Sequence, residues 1–297
     1  MSFFDEKLEE VKIGPSADLR NTFMLYENLS GVNLSSANLD GVNLFNRNLS
    51  GTNMSGANLS GANLVGANLS QANLSKANLT GANLVVANLS EANLSEANLT
   101  DAILNQANLS GACLSSANLQ NAQLPATELL RVNFTNAYLS NALLIGANLT
   151  EANLTNSNLH FSDLSYANLT NADLSGADLE YANLSSANLT GVKLFGAKLL
   201  NINLSFVDLA DFDFSGANLR EANLSHANLS NANLEGAILY WAKAANVNLR
   251  GANLSHANLK RANLLGADLI NANLNGAEFR DATMPDGTIA YKNLLYG

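Results

Sequence analysis

GANLSGANLVGANLSQANLS, residues 56–75, is one five-residue unit written four times with small edits. Each copy also carries Asn-Leu-Ser or a near match, the acceptor pattern for N-glycosylation, so the stretch is either modification chemistry or architecture. The rest of the chain decides for architecture. Taking the leucine as the centre of each unit, 47 of the 53 centres from Leu19 to Phe279 are Leu, the others being Met24, Met54, Phe134, Phe214, Ala244 and Phe279, and no insertion shifts the frame. In most units Ala or another fairly small residue stands two residues before the centre, as at Ala57, Ala62, Thr127 and Val192, and Asn or Asp stands one before it. Ser or Thr follows the centre, then a variable position often filled by Gly.

A period of five suits neither regular element. On an α-helix successive leucines would drift by about 140° and circle the axis, and on a flat strand they would alternate faces. The backbone must therefore turn once per unit: a short extended piece sends the leucine and its small partner inward, and a corner follows. The small partner implies a narrow interior with no room for a ligand. Such units wind into a coil whose turns pair their backbones at about 4.8 Å. The residues after the centre set the number of units per turn. Between residues 20 and 150 the apolar ones are Leu25, Phe45, Val65, Val85, Pro125, Leu130 and Ile145, and all but Leu130 are separated by multiples of twenty. Four units thus close a turn, giving about 13 turns and a rod of roughly 60–65 Å at strand spacing. Stacked Asn amides can both donate and accept, whereas stacked carboxylates would repel. Where Asp appears in numbers, lysines sit nearby: Asp173, Lys193 and Asp213 form one series twenty residues apart, Asp178 and Lys198 another.

The formal charge is −10 with 13% charged residues, which argues against nucleic-acid binding driven by positive charge. One cysteine, Cys113, excludes an intrachain disulfide and suits a reducing compartment. No signal-peptide pattern or long apolar run appears, so the expectation is a cytoplasmic protein that neither enters a membrane nor meets the glycosylation machinery.

With A-[ND]-L-[ST]-x in view over about residues 17–284, the chain resembles the pentapeptide-repeat family. The resemblance implies an all-β fold, a right-handed, square-sectioned parallel β-helix, in agreement with the four-unit turn. Open coil ends polymerise unless covered, so residues 1–16, with Phe4, Leu8 and Val11 at helical spacing, read as a short N-terminal capping helix. Residues 285–297, with a Pro-Asp-Gly turn before Ile289, Tyr291, Leu294, Leu295 and Tyr296, read as a C-terminal cap. The pattern frays from Asn121 to Ile145 without losing frame, which predicts a local bulge or bend.

No catalytic or cofactor constellation emerges from the pattern. His160, His226 and His256 fall at outward positions, and no metal site follows. Cys113 replaces an Asn and reads as a filler. Asp211 and Asp213 are expected on a convex surface with no cleft. Two outward columns do break the polar default. Leu25, Phe45, Val65, Val85, Pro125 and Ile145, with Val86, Ile103 and Leu143 beside them, form an apolar strip, read as a protein or homodimer interface or as a surface that the N-terminal segment covers. Arg220, Tyr240, Lys260 and Arg280, with Trp241 and Arg261 adjacent, read as a basic-aromatic face for an acidic protein partner or as scattered surface charges; the C-terminal end is a second possible dimer contact. The functional expectation is a non-catalytic interaction scaffold in the bacterial cytoplasm. One alternative follows from the resemblance, since some pentapeptide-repeat proteins mimic duplex DNA toward topoisomerases. Against it, a matching rod would need nearly 40 negative charges at about one per 1.7 Å. The other alternative is a structural spacer.

Overall fold

The computed structural model describes residues 13–20 and 28–291. The N-terminal capping segment over residues 1–12, Leu25 and the terminal Leu294, Leu295 and Tyr296 lie outside the described residues. Within them the chain is a four-sided coil of twenty residues per turn: Asn28 bridges Asn48, Asn33 bridges Asn53, Asn38 bridges Asn58 and Asn43 bridges Asn63, all in parallel, and the series repeats up the rod. Each side contributes a single bridged residue rather than a regular strand, because a corner follows three residues later. Leucine centres and their small partners fill the axis, with Leu59, Ala62, Leu64 and Ala67 completely buried.

All five backbone amides of a regular unit are satisfied, which explains the motif position by position. The Leu59 amide donates to the Asn78 carbonyl one turn on (2.7 Å), and the Asn78 amide donates back to the Ala57 carbonyl (2.9 Å). At the corner the Gly61 amide donates to the Thr80 carbonyl (2.9 Å), and the Ala62 amide closes the turn onto the Leu59 carbonyl (3.0 Å). The fifth, that of Ser60, donates to Asn58 Oδ1 (3.2 Å). Asn therefore has two tasks: Oδ1 caps the amide two residues on, and Nδ2 reaches down the column, as from Asn78 to Asn58 Oδ1 (3.0 Å). The residue after each Ser or Thr sits at positive φ, which accounts for the glycines there, Gly61 at 61° among them.

The frayed stretch neither bulges nor bends the ladder. Ile103, Gln123 and Leu143 bridge in sequence, with bonds as short as 2.7 Å from Leu104 to Gln123 and from Leu124 to Leu143. Losing Asn caps leaves the coil closed here, where the inward partners stay small: Val132 is fully buried, and the buried Thr127 hydroxyl donates to the Leu104 carbonyl (3.0 Å).

The interruption lies elsewhere. Between the turn containing Asn188, Lys193 and Lys198 and the next, containing Asp208, Asp213 and Asn218, three of the four bridges are missing; the Asn183 to Asn203 bridge and a corner bond from the Asn201 amide to the Arg220 carbonyl (2.9 Å) hold that step. The cause is volume. Phe212 is the only aromatic residue at the small inward position, and it stands one turn above Val192, while Phe214 stands above Leu194. The Phe212 and Phe214 rings stack at 5.5 Å. Four bulky side chains thus face one another across this step where most other turns pair Ala with Leu, and overpacking accounts for the opening of the coil. The result is a lateral cleft of about 630 Å³ lined by Val192, Leu194, Phe212 and Phe214. The expected absence of ligand space and of a cleft beside Asp213 is corrected here, since Asp213 lines it. Asp211 does not. The Lys193 to Asp213 step of the charge series is also broken: Lys193 pairs with Asp173 (3.4 Å), and Asp213 instead accepts from Asn233 Nδ2 (3.0 Å).

At the C-terminal end the Pro285-Asp286-Gly287 turn folds the chain back, with Thr283 and Ile289 paired antiparallel and Asp286 Oδ1 accepting the Thr288 amide (2.9 Å).

Two outcomes follow. Asn78→Ala removes a cap and a rung and lowers stability by about 1–2 kcal/mol; Asn78→Asp, which keeps the cap, costs less, and Leu79→Ala costs about 2–5 kcal/mol. Unfolding midpoints in urea check the order. Phe212→Ala closes the ladder, raising the thermal midpoint and slowing hydrogen exchange at the Leu194 and Gly196 amides; unchanged exchange there rejects the overpacking account.

Candidate interaction surfaces

The apolar strip is assembled as a vertical series. The Gly66 amide donates to the Val85 carbonyl (3.0 Å), which sets Val65 directly beneath Val85. Phe45 and Val86 are each 49% exposed, and Leu143 and Ile145 lie open beside half-buried Ile103 and Pro125. Val86 is the costly member. Its backbone is held at φ 51°, a left-handed conformation that disfavours L residues by roughly 1–2 kcal/mol and β-branched ones most of all. A branched apolar residue therefore sits in a position suited to Gly while leaving half its surface to solvent.

The basic-aromatic face is also brought together, but its charge is largely compensated. Arg220 Nε is 3.1 Å from Glu221 Oε1, Lys260 pairs with Glu278, and Arg261 Nε lies 3.6 Å from Asp281. Arg280 is exposed, with no acid within 4.0 Å among the described residues. The guanidinium of Arg220 stands 5.5 Å over the Tyr240 ring and that of Arg261 stands 5.4 Å over Trp241, so aromatic area rather than net charge dominates this face.

Below it, along the same corner, lies a cluster missed by sequence reasoning. Phe161 and Tyr181, twenty residues apart, bring their ring centroids to 4.9 Å, and His160 packs edge-on against both. His160 is therefore half-buried rather than simply solvated. The signal was present as two aromatics in the variable column. His160 Nδ1 is 3.7 Å from Asp178 Oδ1, and Glu180 completes a trio whose ligand-type atoms lie within 4.8 Å of one another. Asp178 already has a cation, since Lys198 Nζ sits 3.0 Å away, so the group reads as an ion-pair cluster. His226 stacks on Phe206 (4.8 Å), and Cys113 continues its column through Asn93 and Asn133.

Burial works to raise the Asp178 carboxyl, but the hydrogen bond from Lys198, the Glu180 amide and the charges of Lys198 and His160 hold it below the ordinary value. Asp173 is held low by Ser175 and, less strongly, by Lys193. Groups depressed in the folded state stabilise it above their unfolded value of about 3.9, and that stabilisation is lost as pH falls through the folded value. The thermal midpoint accordingly drops below about pH 4, and Asp178→Asn makes the drop shallower in a pH-resolved melt.

The pentapeptide-repeat family model matches the chain in eight copies between residues 16 and 284, and the chain belongs to that family. Among solved structures it is similar to HetL, a pentapeptide repeat protein involved in heterocyst differentiation regulation in the cyanobacterium Nostoc sp. strain PCC 7120, at 35% identity over 84% of this chain and 93% of HetL, TM-score 0.32. It is also similar to trypsin-treated QnrB1, a plasmid-mediated fluoroquinolone resistance protein, at 25% identity over 56% of this chain and 89% of that one, TM-score 0.39. A pentapeptide repeat protein from the Arabidopsis thaliana thylakoid lumen matches at 23% identity over 39% of this chain and 63% of that one, TM-score 0.22. No curated protein matches significantly.

Proposed function

We propose that the chain is a non-catalytic protein-interaction scaffold, a right-handed square coil that presents rigid faces to a protein partner in the bacterial cytoplasm. The observation that carries this reading is Val86. The coil imposes a left-handed backbone at this corner position in every described unit, so what folding does not require is the choice of a β-branched apolar side chain there, at φ 51°, half exposed and beside the Val65 and Val85 column, and costly residue choices of this kind gather at functional surfaces. The strip from Phe45 to Ile145 covers five turns, about 24 Å at strand spacing, enough for one side of a small interface.

The DNA-mimic alternative requires a dense, uncompensated negative column. Here the outward column is mainly an Asn ladder, and several of the acids that do occur are paired with Lys or Arg. Supercoiling by gyrase in the presence of the chain separates the two readings; inhibition or protection favours the mimic.

Val86→Gly combined with Val85→Ser is expected to raise the thermal midpoint, by relieving about 1 kcal/mol of backbone strain, while abolishing capture of the partner from the native host. Quantitative mass spectrometry of proteins retained by wild type and variant checks this, and an identical retained set rejects the apolar strip as the docking surface.

A further inference from the structure

We infer that the lateral cleft between residues 187–199 and 207–218 is a receptor for an extended peptide segment of another protein, bound as an added rung of the coil. This deepens the scaffold reading but uses a surface separate from the apolar strip.

The argument rests on backbone groups. In every closed turn the Leu centre and the corner residue donate upward, and the residue before the centre donates downward. On the side of the cleft between Lys193 and Asp213 these bonds are absent. The lower lip presents the Val192 carbonyl and the amides of Leu194 and Gly196; the upper lip presents the Asp213 amide and the carbonyls of Asp213 and Ser215. Each lip is thus a parallel sheet edge, and a sheet edge is a template for an incoming strand. A single five-residue segment in the same direction as its neighbours would satisfy all of these groups at once.

The walls define the side chains such a segment needs. Its central residue would face Leu194 and Phe214, and the residue two before it would face Val192 and Phe212, all four of which line the opening. An apolar centre with a small apolar partner fits. Charge does not select, because Lys193 is held by Asp173 and the Asp213 carboxylate by the Ser215 amide and Asn233. The volume of about 630 Å³ falls within the range of about 300–1,000 Å³ usual for ligand sites. A second copy of the chain is a poorer donor: away from this cleft the internal turns of the described coil are paired on both sides and only the end turns keep a free edge, so a copy has no free internal strand to lend.

The test uses the full chain and the capped peptide acetyl-SGANLSGA-amide, the sequence of residues 55–62. Saturable binding is expected, with amide shifts and slowed hydrogen exchange confined to Val192–Gly196 and Asp213–Ser215. N-methylation of the peptide leucine should weaken binding about tenfold or more, since it removes a backbone donor. Phe212→Ala should close the cleft and abolish binding while the thermal midpoint rises, which separates loss of the site from loss of the fold. Absence of saturable binding at millimolar peptide, indifference to N-methylation, or protection of the same amides by concentration-dependent dimerisation of the chain alone would each overturn the proposal. None of these outcomes bears on the Val85 and Val86 capture experiment.

Discussion

The fold rests on a narrow axis of Leu centres and small partners that lets successive turns pair their backbones, and one outward side chain in five reinforces that pairing. An asparagine before most centres caps the amide at the corner with its oxygen and reaches the neighbouring turn with its nitrogen, so a single small amide both supports the corner and joins it to the next turn. Aspartate reproduces the first task but not the second, and it adds charge to a column where residues are one strand spacing apart. This asymmetry explains why Asn dominates the column and why the acids that enter it lean on lysines or on asparagine donors, as Asp178 does on Lys198 (3.0 Å) and Asp208 does on Asn228 (2.7 Å).

The four-unit turn was legible because the exceptions in one column recur every twenty residues, and inward residues were legible because only one spacing places Leu and a small neighbour on the same side. The opening of the coil is also written in the sequence as Phe212 and Phe214 above Val192 and Leu194, but it leaves no break in the five-residue pattern. The more conspicuous outward substitutions from Gln123 to Leu143 change the surface and leave the axis alone. Inward volume decides whether the turns meet; outward chemistry does not. The amide cap was missed for a different reason: a bond from a side chain to an amide two residues away leaves no periodic trace beyond the identity of the residue.

The surfaces divide in the same way. Columns can be placed from the sequence once the turn is known, so Val65 beneath Val85 and Tyr240 above Arg220 follow from arithmetic. What the columns carry electrically depends on neighbours in other columns. Glu278, two residues before the Arg280 position, pairs with Lys260, and Asp281 approaches Arg261, so a face that reads as basic down one column is nearly balanced once its flanks are included.

In a solenoid each turn is stabilised chiefly by the turns it touches, so cooperativity travels along the axis through successive interfaces. Here one interface retains one bridged side of four and a single further corner bond. Among the described turns it carries the fewest backbone links. Cooperativity that travels from turn to turn therefore has its natural break at this step, which divides the rod into two blocks in series.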